Sequence, residues 1–110
     1  MSTSVYSMIG LRTPMANILS PDYIIATICK YRKILDKDLL RKCRERRFVY
    51  PRQLCIYFLR RETSLSLKEI AYLLGYSDHT IVVYSLKTLN NLIFSDEAIK
   101  RDIYNLKLLL

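Results

Sequence analysis

The sequence predicts an all-α domain organised around a helix-turn-helix, and three observations predict it. Only two glycines and three prolines interrupt 110 residues, while 51% of the residues are hydrophobic; one real core is possible and little length is left for loops. Helix-capping residues recur ahead of apolar positions at helical spacing. Around Gly75 a short helical pattern, a glycine-containing turn and a longer helical pattern follow one another directly.

Taken in order, residues 1–19 show neither clear period nor clear polarity and are expected to form an N-terminal arm, with the domain spanning 20–110. "SPDYIIATICKY" places Ser20 at an N-cap and Pro21 at the first helical position, with Ile24, Ile25, Ile28 and Tyr31 at helical spacing. "DKDLLRKCRER" restarts with Asp36 as the cap, and "YPRQLCIYFLRR" predicts a third helix starting at Pro51 with Leu54, Cys55 and Phe58 on one side. "SLKEIAYLLGY" fits a short helix with Ser66 as N-cap, Glu69 at the capping-box position and Gly75 just past its end. A three-residue turn leads to Asp78, expected to cap the next helix. There Val82, Leu86, Leu89 and Ile93 make a narrow stripe for the core, and Thr80, Tyr84, Lys87 and Asn91 fall on the opposite face. "SDEAIKRDIYNLKLLL" closes with Ser95 as cap and a stripe of Ile99, Ile103, Leu106 and Leu110.

A net charge of +8 points to a polyanionic partner, nucleic acid or an anionic membrane surface. Its distribution is local. Residues 41–61 hold Arg41, Lys42, Arg44, Arg46, Arg47, Arg52, Arg60 and Arg61 against Glu45 alone, a balance of +7. Residues 1–40 come to +2 and residues 62–110 to −1, so the patch reads as a footprint. No charge-free apolar run approaches the roughly 20 residues that span a bilayer, and the N-terminus has no basic n-region. Cys29, Cys43 and Cys55 show no C-x-x-C spacing and share the chain with one histidine, which supports neither a disulfide framework nor a zinc site. Reduced thiols and a cytoplasmic, nucleoid-associated location are expected. Catalysis is not: there is no plausible triad and no H-E-x-x-H, and Gly10 and Gly75 cannot build a phosphate loop.

In a helix-turn-helix the first residues of the second helix reach base edges in the major groove. Asp78, His79 and Thr80 hold that place. Two roles stand open for Asp78, accepting from cytosine N4 or capping its own helix. His79 has donors for a base or phosphate, and the Thr80 methyl suits thymine.

The stretch "RERRFVYPRQLCIYFLRRETSLSLKEIAYLLGYSDHTIVVYSLKTLNNL" resembles the C-terminal DNA-binding domain of the bacterial replication initiator DnaA, whose hallmark pairs P-R-Q with a downstream D-H-T. The resemblance implies a six-helix domain of the TrpR/DnaA C-terminal type that binds double-stranded DNA at boxes of the TTATCCACA kind. It assigns Arg44 to the minor groove, Arg46, Arg52 and Gln53 to phosphates, and Asp78, His79 and Thr80 to bases. Ser66, Leu67, Lys68, Ser77, Ile81, Tyr84 and Lys87 complete the expected DNA-binding set. Ile81 and Tyr84 depart from the family, which usually has a second threonine and a histidine there. No ATPase or oligomerisation domain is seen, so the expected role is DNA binding that modulates replication initiation or transcription, with no enzymatic activity, nucleotide or cofactor. The rival reading is a protein adaptor docking a partner through residues 95–110.

Overall fold

The structure, a computed structural model, describes residues 19–40 and 45–110; the expected arm up to residue 18, and Arg44 with its expected minor-groove role, lie outside them, while Leu19 packs against the core. The described residues form six α-helices and no strand. The Ser20 side chain accepts from the Tyr23 N–H at 3.1 Å to open α1 (Pro21–Arg32), with Pro21 in the first turn as the sequence anticipates. Lys33 closes α1 in the left-handed region at φ 59°, and the Ile34 N–H returns to the Cys29 carbonyl.

The second helix is shorter than expected. It is the single turn α2 (Asp36–Leu39), in which Asp36 is the first helical residue and Leu35 the uncapped N-terminal neighbour. Leu39 is buried and Leu40 exposed, so one apolar anchor holds this turn.

The third helix, α3 (Arg46–Glu62), begins five residues before the expected start at Pro51 and carries that proline inside it. An interior proline removes a backbone hydrogen bond and crowds the preceding turn, at about 3 kcal/mol. Phe48 and Tyr50, 4% and 5% exposed, lie in the turns before it. Burying two such aromatic side chains returns roughly 1.5–3 kcal/mol each, enough to offset the proline. Ten of the 17 residues of α3 are buried, and it packs on α1, α2 and both following helices, which makes it the central rod.

Those following helices are α4 (Leu67–Leu73) and α5 (Thr80–Ile93), and α6 (Glu97–Leu109) closes against α1 and α5. The stripe on α5 faces inward as its spacing requires: Val82 and Leu89 are fully buried, and Leu86 and Ile93 pack against the core from its edge. Asp96, not Ser95, caps α6, its Oδ1 accepting from the Ala98 and Ile99 N–H groups at 3.0 and 3.4 Å. Ile99, Ile103 and Leu106 are buried in the same core. The stripe offered by the sequence to a protein partner is therefore largely consumed by the fold.

A polar knot ties the first, third and last helices. Asp102 accepts from the Tyr31 hydroxyl at 2.8 Å, the Tyr50 hydroxyl at 2.7 Å and the Arg32 Nη1 at 3.3 Å, and Asn105 donates to Tyr31 at 3.0 Å. Cys29 and Cys55 are buried free thiols; burial and the nearby Asp36 carboxylate push Cys29 up to about 12, and burial likewise raises Cys55. Both are held as inert neutral thiols at physiological pH.

Candidate nucleic-acid interface

The site is built on the α4–α5 pair. A full capping box opens α4: the Glu69 N–H donates to Ser66 Oγ at 3.1 Å and the Ser66 N–H to Glu69 Oε1 at 2.8 Å, an interaction that holds the Glu69 carboxyl below its ordinary value. Gly75 closes α4 at φ 85°, with its N–H on the Tyr72 carbonyl at 3.0 Å and the Tyr76 N–H on the Ala71 carbonyl at 2.8 Å. These two bonds are the paired closure of a left-handed C-terminal cap, for which glycine is suited. The connection runs from Leu74 to His79, longer than the three-residue turn expected, because α5 becomes regular only at Thr80.

His79 is the N-cap residue of α5 and makes no side-chain cap bond, so the expected cap stands one position early; Asp78 serves the helix start from there. Its Oδ1 accepts from the Thr80 N–H and from Thr80 Oγ1, both at 3.0 Å, and the backbone bond is the chief reason its carboxyl sits below the ordinary value. His79 Nδ1 lies 3.6 Å from the same oxygen. The side chains of Asp78 and His79 remain 69% and 46% exposed, so capping does not withdraw them from the surface. Ser77, Asp78, Thr80, Ile81 and Tyr84, together with Tyr76, line one open groove of about 460 Å3. Tyr84 is 63% exposed, and Lys87 and Asn91 continue the exposed face. Ile81 instead leans on the core, at the groove floor.

The remaining sequence-derived residues separate into different settings. Ser66 spends its hydroxyl on the capping box, Leu67 packs on the core, and Lys68 is exposed beside an apolar groove with Pro21, Leu65, Tyr72 and Leu73. Arg46 is exposed with its guanidinium 4.8 Å from the Tyr50 ring centroid, and Arg32 approaches the same ring at 4.9 Å. Arg52 and Gln53 are only 7% and 8% exposed. Arg52 Nε donates to the Phe48 carbonyl at 3.2 Å and Nη1 to the Tyr76 hydroxyl at 2.7 Å, whereas Gln53 Oε1 is buried without a hydrogen-bond donor.

Two features were missed by the sequence reading. Tyr76, directly after the capping glycine, stood only as a turn residue; an aromatic at that position signals packing, but not which donor meets its hydroxyl. Tyr50 was hidden next to Pro51, and its partner Asp102 is 52 residues away.

A short capped helix, a glycine-closed turn and a longer helix with an exposed polar face define a helix-turn-helix protein. The chain belongs to the bacterial DnaA helix-turn-helix family: the family model described as the bacterial dnaA protein helix-turn-helix matches residues 21–89. It is 34% identical over 85 residues to the chromosomal replication initiator protein DnaA of Thermomicrobium roseum, covering 77% of this chain and 18% of that protein. It is 35% identical over 81 residues to the protein of the same name from a Jannaschia species, covering 74% of this chain and 17% of that protein. The chain thus spans less than a fifth of the length of these relatives. Among the described residues no helix is long and apolar enough to cross a membrane, and no group of three or more histidine, cysteine or carboxylate side chains could hold a metal ion.

Proposed function

We propose that this chain binds double-stranded DNA at boxes of the kind used by the DnaA family, with α5 in the major groove and the basic start of α3 on the backbone. The observation that carries the proposal is the groove at the head of α5. Ser77, Asp78, Thr80, Ile81 and Tyr84 meet there, and His79 lies exposed in the same turn, within a chain of the DnaA helix-turn-helix family. Exposed donors, an exposed carboxylate and a threonine methyl at a recognition-helix start are the groups that distinguish base pairs in the major groove. Arg46 and Arg47, exposed at the start of α3, supply sequence-independent attraction to phosphate.

Binding on this reading needs no nucleotide and involves no chemistry by the protein. Its consequence is modulation of replication initiation or transcription through occupancy of boxes that an initiator also uses. Selection of bound duplexes from a random library, followed by salt titration on the winning box and on a scrambled one, tests it. The expected result is an enriched family-type box and a steep log–log salt dependence, from about −0.9 per phosphate contact. No enriched sequence, or a slope shallower than about −2, sinks the proposal. Calorimetry with ATP should show no titratable binding.

A further inference from the structure

The groove at the head of α5 is less polar than the row Asp78, His79, Thr80 suggests. Asp78 and Thr80 line it, yet much of their polarity is turned on each other: Thr80 Oγ1 donates to Asp78 Oδ1 at 3.0 Å, and that same oxygen takes the Thr80 N–H at 3.0 Å. A hydroxyl has one proton to give, so Thr80 is left with its acceptor lone pairs and its methyl. Tyr76, Ile81 and Tyr84 complete the apolar part of the lining, and Ile81 and Tyr84 are the two positions of the expected DNA-binding set at which this chain departs from its family. Ile81 packs on the core and offers no hydrogen bond. Tyr84, 63% exposed, keeps its ring in water until something covers it.

Base-pair edges in the major groove carry donors, acceptors and one apolar group, the C5-methyl of thymine. We infer that Ile81 and Tyr84 form a seat for that methyl, so that this chain selects thymine at one position of its box by apolar contact. The inference deepens the DNA-binding reading above and rests on it. Continuity points to a base edge as the occupant: the groove shares Asp78 and Thr80 with the face proposed to read DNA, and His79 is exposed in the same turn. Its open volume of about 460 Å3 has room for the edge of a base together with the methyl. A merely structural role would make these two side chains matter equally for every duplex. A methyl seat makes them matter only where the methyl is present.

The test replaces each thymine of the selected box, one at a time, by deoxyuridine, which keeps the pairing and the O4 acceptor and removes only the methyl. Wild type, Ile81→Thr, Tyr84→Ala and Tyr84→Phe are measured on every duplex by competition, with a thermal melt to establish that each variant is folded. In wild type one position should lose about 3–5-fold in affinity, the scale of one buried methyl group, while the same swaps in a scrambled duplex change nothing. In Tyr84→Ala and in Ile81→Thr the loss at that position should shrink towards none, a coupling between side chain and methyl. Tyr84→Phe, which keeps the ring, should retain it. Tyr84→Ala removes a largely exposed ring and carries the cycle alone if Ile81→Thr does not fold. Three results would overturn the inference: no thymine whose methyl matters, a methyl effect as large in both the Ile81 and Tyr84→Ala variants as in wild type, or its disappearance in Tyr84→Phe. Each of these leaves the DNA-reading proposal standing, whereas a wild type without preference between box and scrambled duplex removes that proposal and the inference with it.

Discussion

The start of α3 and the start of α5 are both polar, and they differ in what holds the polarity in place. At α3 there is no side-chain cap and no acid in the first turn; Arg46 and Arg47 lie over the rings of Tyr50 and Phe48, at 4.8 and 4.6 Å. The aromatic faces steady the guanidinium groups, which stay at the surface. At α5 the fixed group is an acid, Asp78, bonded to the Thr80 backbone and hydroxyl, and the neighbouring side chains are exposed with almost no net charge. A field of arginines attracts any polyanion, whereas a short row of directional donors and acceptors distinguishes one base pair from another. Charge density and the exposed directional groups are therefore housed on different helices, and the bond from Arg52 on α3 to the Tyr76 hydroxyl joins α3 to the turn before α5.

The most severe way to break this arrangement removes the support common to both regions. Leu89 is fully buried on the α5 stripe, and α5 packs against α3. Leu89→Ala should cost about 2–5 kcal/mol in chemical denaturation, and binding to box and scrambled DNA should then fall together. Thr80→Ala acts on one region only. It should cost about 1–3 kcal/mol on the selected box and far less on the scrambled duplex, measured by competition; equal losses would remove Thr80 from the readers.

Gly75→Ala probes the closure of α4 just ahead of the α5 start. Nothing lies within 4 Å of an added Cβ, so the penalty comes from backbone conformation at φ 85° and should be about 1 kcal/mol in denaturation, without a packing contribution. Arg46→Ala sharpens the comparison from the other side. The salt slope should become shallower by about 0.9, by the same amount on every duplex, with the preference between duplexes retained.

The smallest effect expected is the response of the α5 cap to acid. The Asp78 carboxyl lies below its ordinary value of 3.8 because the Thr80 N–H stabilises the anion. A carboxyl depressed in the folded state adds stability that is complete above the unfolded value and disappears as pH falls through the folded value. Acid should therefore loosen the head of α5, an effect read by NMR as a shift of the Thr80 amide that tracks the Asp78 titration. In Asp78→Asn that coupled shift should be absent, while Glu69 reports a separate event at the head of α4.

The contrast between the regions was only half legible in the residues. Gly75, Ser66 and Glu69 announce α4 because capping and left-handed closure are local events, decided within a few residues. The α5 stripe was legible for the same kind of reason, since periodicity alone separates Val82 and Leu89 from Thr80, Tyr84 and Lys87. Pro51 misled, because its local preference for a helix start is outweighed by the burial of Phe48 and Tyr50 ahead of it. Ser95 and Asp96 offered two adjacent caps, and only the bonds to Ala98 and Ile99 choose between them.

By itself the sequence determined the helical class, the place of the helix-turn-helix, the exposed face of α5 and the concentration of charge between residues 41 and 61. All follow from local propensity, short-range periodicity or counting. Tertiary structure alone decided which of the basic residues meet solvent. Arg46 and Arg52 stand six positions apart in one helix and look alike in the chain, yet one lies exposed on a tyrosine ring and the other is buried against a tyrosine hydroxyl. Burial of a charge depends on a partner supplied from distant sequence, here Tyr76, 24 residues on, and no local pattern encodes that meeting.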